Sequence, residues 1–188
     1  MQPFRSFIPS LAVMLMAASG GASAQGVLIE RSEIRFVGKP SGGGVAGKFR
    51  KWKANVDFRP KELAKSKADF EIELASIDLA NEDTEAEVRR PAWFDTARHP
   101  VARFTSSAMK DLGGNRYEVM GRLSMKGVTR DVVIPIALRK DAAGNSVAEG
   151  QFAFNRLDFR IGDGVWADSG TVPNEVGVRI RMVLPPVA

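Results

Sequence analysis

The chain has one histidine, His99, in Ala97-Arg98-His99-Pro100, with Asp95 four positions before it. An imidazole beside a carboxylate can serve as a general base. An acyl-transfer triad would add a serine on a sharp elbow, and no Gly-x-Ser-x-Gly occurs. The run Gly42-Gly43-Gly44-Val45-Ala46-Gly47-Lys48 approaches a phosphate-cradling loop. That loop needs Ser or Thr next for magnesium and then a helix; here Phe49 follows, at the start of a strand pattern. The acids Asp78, Glu82, Asp83, Glu85 and Glu87 lack the ligand spacing and central glycine of a calcium loop. Zero cysteines remove thiol catalysis, thiolate zinc sites and disulfides, and a single histidine removes any site built on two imidazoles. No metal site and no catalytic set is expected, with His99 and Asp95 kept as the base of a second reading, an enzyme on a lipidic substrate.

Charge points the same way. The 188 residues carry a formal +5, and the basic stretch Lys48 to Lys67 interleaves Phe49 and Trp52 with lysine and arginine. A nucleic-acid surface looks like this, but so does the solvated outer wall of a sheet, because Lys51 and Lys53 alternate with Trp52 and Ala54. The N-terminus decides between them. Arg5 precedes the apolar run Leu11–Ala18, and small residues end at Ala22-Ser23-Ala24, the order of a secretory signal removed after Ala24. The apolar run falls short of the roughly 20 residues that span a bilayer. Residues 1–24 are therefore read as a cleaved signal and 25–188 as a single exported domain, most simply periplasmic. No nucleic-acid partner is expected; the lysines leave room for transient contact with a membrane surface, and a homodimer stays open.

The elements behind these residues are strands. Period-2 alternation, the mark of one buried face, recurs at Ile34/Phe36, Trp52/Ala54/Val56/Phe58, Phe70/Ile72/Leu74 and Phe104. It returns at Tyr117/Val119/Gly121/Leu123, Ile134/Ile136/Leu138, Phe152/Phe154 and Val176/Val178/Ile180/Met182. Gly113-Gly114-Asn115 and Ala143-Gly144-Asn145 supply turns. A single helix is predicted from a cap at Asn81 to Arg89-Arg90, stopped by Pro91, and residues 160–174 read as a long loop. About eight amphipathic antiparallel strands with short connections predict an all-β fold, a closed up-and-down barrel. Pro135 belongs at an edge or bulge because it cannot donate to a ladder, and a parity slip at Arg50-Lys51 marks a second bulge.

The inward set is Phe36, Phe49, Trp52, Phe70, Ile72, Leu74, Phe104, Leu123, Ile134, Ile136, Phe152, Phe154, Val178 and Ile180, mixed with Gly38, Ala54, Ala68, Gly121, Ala148 and Gly150. The small residues either open a tunnel or fit the taper of a packed barrel. If a ligand occupies the bore, apolar walls suit a hydrocarbon chain, at about 0.8 kcal/mol per buried CH₂. Trp93, Phe94 and Trp166, outside the strands, are candidates to close an end. A packed barrel acting as a protein-interaction module is the third reading.

Several strings in order resemble the YceI-like family: Gly47-Lys48-Phe49-Arg50-Lys51-Trp52, Ala75-Ser76-Ile77-Asp78, Trp93-Phe94-Asp95-Thr96 with His99-Pro100, Gly121-Arg122-Leu123-Ser124-Met125-Lys126-Gly127, and Asn155-Arg156-Leu157-Asp158-Phe159. Arg160 stands where the family pattern has glycine. The resemblance implies a lipocalin-like barrel with a helical segment. It also implies a bound isoprenoid lipid, a quinone tail or polyprenyl chain, carried without chemistry.

Overall fold

The computed structural model describes residues 25–38, 45–170 and 172–186. Residues 1–24, which the sequence marks as an expected signal, and Gly42-Gly43-Gly44 lie outside the described residues. The strands are β1 (Gln25–Gly26), β2 (Glu33–Val37), β3 (Ala46–Phe49), β4 (Trp52–Asp57), β5 (Lys67–Glu73), β6 (Ile77–Asp78), β7 (Val101–Gly113), β8 (Arg116–Met125), β9 (Val128–Lys140), β10 (Ser146–Asn155) and β11 (Glu175–Leu184). They form one curled antiparallel sheet in the order β1-β4-β5-β7-β8-β9-β10-β11-β2-β3-β6.

Eleven strands stand where about eight were expected because three expected passes are broken. A 3-10 turn, Ile29–Arg31, divides β1 from β2, and another, Leu74–Ser76, divides β5 from β6. The slip at Arg50-Lys51 divides β3 from β4. There the backbone is held by Arg50 N–H to Ser76 O (3.0 Å) and by Ser76 Oγ, which accepts from Lys51 N–H (3.0 Å). Along most of the other strands the alternation holds, as where inward Ala102 and Phe104 are buried while Arg103 and Thr105 are exposed; it fails at the paired Val147 and Val183, outward by parity yet fully buried. Ser106 continues that inward row as a polar member, and its Oγ accepts the Ala68 N–H at 2.8 Å. The register then slips between Ser106 and Ala108, which turns Met109 inward.

Helix α1 (Glu82–Val88) begins as predicted, with the Asn81 side chain accepting the Thr84 N–H at 2.8 Å. Arg160 adopts the left-handed conformation, φ 58°, which explains why glycine suits that position. Four of the eight basic residues from Lys48 to Lys67 are paired: Arg50 with Asp78, Lys51 with Glu73, Arg59 with Asp57 and Lys65 with Glu62.

The small inward residues divide by location. A Cβ on Gly121 would meet Thr105 O and the Phe104 ring at 2.6 Å, and one on Gly150 would meet Pro135 O at 2.7 Å. Neighbours therefore fill those two positions, and they are packing contacts rather than tunnel. Among the six small residues only Gly38 faces the large internal cavity.

The β9–β10 hairpin is clamped by Asp141, whose carboxylate accepts from the backbone N–H groups of Ala143 and Asn145, from Asn145 Nδ2 and from Arg31. These donors favour the anion and hold its pKa at about 2, against an ordinary 3.8. The unfolded chain then binds this proton first as pH falls, so the clamp stabilises fully above pH 4 and is lost through pH 2. Thermal melts of Asp141→Asn are expected to lose less Tm than the parent between pH 4 and pH 2; equal losses would contradict this.

Candidate functional site

At one end of the curled sheet the inward rows part and leave a cavity of about 530 Å³, within the 300–1,000 Å³ typical of small-molecule sites. Its walls are aliphatic and aromatic, with Phe36, Phe49, Ile72, Leu74, Leu123, Phe152, Phe154 and Val178 all lining it. Polar side chains enter the lining at its rim, as Asp83, Thr84 and Glu87 of α1, and at one buried point, Arg156.

Trp93, Phe94 and Trp166 line the same chamber. Phe94 meets Phe49 edge-on at 6.4 Å, and the Trp93 and Trp166 rings lie 5.6 Å apart. The remaining inward candidates lie deeper. Phe70, Phe104, Ile134, Ile136 and Ile180 surround a much smaller void of about 80 Å³ toward the other end. Trp52 reaches neither cavity and packs with Ile34, Val178 and Met182. The fourteen residues marked by alternation thus divide into a chamber wall and a packed waist.

What roofs the chamber is a residue the alternation passed over. Arg156 is 2% exposed, and all five of its N–H donors are spent on backbone carbonyls. Nε donates to Pro173 O (3.1 Å), Nη1 to Ile161 O (2.9 Å) and Gly162 O (2.5 Å), and Nη2 to Trp166 O (2.7 Å) and Val172 O (2.9 Å). Its guanidinium also lies 5.6 Å from the Trp93 ring centroid. No carboxylate pairs with it among the described residues, and burial pushes its pKa down. The five carbonyls belong to one long loop, so a single side chain gathers Ile161, Gly162, Trp166, Val172 and Pro173 over the opening. Lys126, in the β8–β9 turn, adds a second tie through Ala92 O and Arg160 O. Arg156 was visible in principle, because Phe152, Phe154 and Arg156 share one parity and an arginine on an inward row is an anomaly.

His99 and Asp95 do not meet as a base pair. The Asp95 carboxylate is bound by Arg98 Nε at 2.7 Å, and His99 lines a separate surface pocket with Arg98, Arg103 and Lys126. Among the described residues no cluster of three His, Cys, Asp or Glu is placed to hold a metal, and no helix is long and apolar enough to cross a membrane.

Residues 27–184 match the YceI-like domain model. The chain belongs to the YceI-like family. A UPF0312 protein of Azotobacter vinelandii is 30% identical over 141 residues, 72% of this chain and 71% of that protein. One from Pseudomonas savastanoi pv. phaseolicola is 28% identical over 161 residues, covering 81% and 84%. Among solved structures, BcnA of Burkholderia cenocepacia superposes with a TM-score of 0.79 at 32% identity, covering 84% of this chain and 98% of BcnA. A polyisoprenoid binding domain from Saccharophagus degradans, described as implicated in plant cell wall breakdown, superposes at 0.68 with 16% identity over 87% and 99%, a likeness of fold.

Proposed function

We propose that this YceI-like protein is an exported, periplasmic carrier that holds one long isoprenoid-type lipid, a quinone tail or polyprenyl chain, without turning it over. The observation that carries the reading is the 530 Å³ chamber, whose walls are overwhelmingly apolar, with polar groups at its rim, at the saturated Arg156 and in the Trp93 indole, whose buried N–H has no partner among the described residues. A sugar or nucleotide there would leave polar groups unpaired, at about 1–3 kcal/mol each, whereas a hydrocarbon chain gains with every buried CH₂.

We read the curled sheet as a closed barrel of eight passes. In support, β1 and β2 are parts of one pass, as are β3 with β4 and β5 with β6. The first two passes pair at both ends, Gln25↔Val56 and Phe36↔Gly47, and so do the second and third, Trp52↔Ile72 and Phe49↔Ile77. The last strand, β11, returns to β2. Val165, 90% exposed beside Trp166 at the roofed end, is the contact we expect with a membrane surface during loading.

All-trans-retinol, a fluorescent isoprenoid alcohol, tests the reading. Because Trp93 and Trp166 line the chamber, retinol is expected to quench tryptophan emission in a saturable titration at one per chain. Absence of saturable quenching would overturn the reading.

A further inference from the structure

β9 and β10 are paired only from Ser146↔Lys140 to Gly150↔Ile136. Past that point β9 continues to Val128 against β8, and β10 continues to Asn155 against β11, so the two strands run on without each other. Leu138 donates its N–H to Asn115 O on the β8 side; alternation therefore turns the backbone of residues 131, 133 and 135 toward β10. Pro135 is the first of these beyond the last pair, and it has no N–H to give. The ladder stops where its donor is missing.

A cavity of about 350 Å³ occupies the parted seam. Phe152 and Phe154 line it on one side and line the main chamber on the other. Phe159 closes the seam from the turn after β10, buried and edge-on to Phe154 at 5.4 Å and 86°. Along this stretch the chamber is separated from the surface by aromatic rings rather than by a hydrogen-bonded ladder. Side chains change rotamer without breaking backbone hydrogen bonds, whereas parting a ladder requires local unfolding. On its outer side the seam presents Val133, 51% exposed, and Ala153 among Arg130, Asp131, Asn155 and Asp158, while Val132 packs inward against the core.

We infer that the β9–β10 seam is a side door through which the hydrocarbon chain of the lipid slides into and out of the chamber, with Phe159 as its latch. This rests on the carrier reading above. Val133 and Ala153 are both exposed, and they fall opposite one another if the register of Gly150↔Ile136 is carried on. The chain has no cysteine, so Val133→Cys with Ala153→Cys supplies a unique pair for a short bis-maleimide bridge. Transfer of all-trans-retinol from the full chain to phosphatidylcholine vesicles is then followed by fluorescence. Bridging is expected to slow transfer at least ten-fold with the equilibrium Kd held within two-fold, because a door changes rates and not affinity. Phe159→Leu is expected to raise the on- and off-rates together by several-fold. A bridged protein that transfers at the unbridged rate overturns the side door. If the bridge does not close, unchanged rates in Phe159→Leu overturn it instead. Retinol that binds no form of the protein overturns the carrier reading itself, and the door with it.

Discussion

Arg156→Met is expected to destabilise the protein by roughly 4 kcal/mol, among the largest single-residue losses a domain shows. Five backbone carbonyls are gathered by one guanidinium, and methionine offers them nothing. Each buried acceptor left without a donor costs about 1–3 kcal/mol, reduced where the freed loop reaches water. Removing the charge returns part of this, since burial itself disfavours the cation. Arg156→Lys is expected to recover only a minor share, because an ammonium has three donors at one point and cannot span carbonyls from Ile161 to Pro173. Urea unfolding gives the stability, and limited proteolysis gives the location. Cleavage is expected within the loop at 157–174, together with loss of retinol quenching as the roof over Trp93 and Trp166 opens. A midpoint within error of the parent would show that the loop is held by something else.

Ile72→Trp is expected to cut retinol affinity at least ten-fold, about 1.4 kcal/mol, in a protein that still folds. Ile72 is half-buried on β5, opposite Trp52 on β4 and Ala102 on β7, and faces the chamber. An indole there has empty volume to enter, so its cost in stability stays near the lower end of the about 1–3 kcal/mol typical of overpacking. Ile134 looks equivalent in the alternation but behaves differently. It is buried at the waist with Phe104 and Leu123, and tryptophan at that position is expected to cost stability before it blocks anything. Paired titrations and melts of Ile72→Trp and Ile134→Trp separate the two positions. Full retinol affinity in Ile72→Trp would place the ligand elsewhere.

These two pairs of variants also mark how far the sequence could be read. Period-2 alternation identifies which side chains face inward, because it follows from backbone geometry alone, and Phe36, Ile72 and Phe154 fall where it puts them. It carries no information on depth along the bore. It therefore grouped Ile134 and Ile180 at the waist with Leu123 and Val178 at the chamber. Gly121 and Gly150 were equally ambiguous. Only the approach of the Phe104 ring to one and of Pro135 O to the other shows that they are filled. The cap at Asn81 and the break at Arg50-Lys51 were legible because each is a local signal. Arg156 was not read as a roof because its partners lie up to seventeen residues away and are all main chain, which no side-chain pattern encodes. Pro135 announced an irregularity, but that the irregularity parts two strands over half their length depends on the partner strand.

The most direct test is organic extraction of protein purified without added lipid from a bacterial host, followed by mass spectrometry of the extract. A chamber of this size and character is expected to yield a long isoprenoid chain at close to one per protein, and to yield markedly less from Ile72→Trp. An extract free of any such lipid, from protein that also fails to take up retinol, would contradict the account.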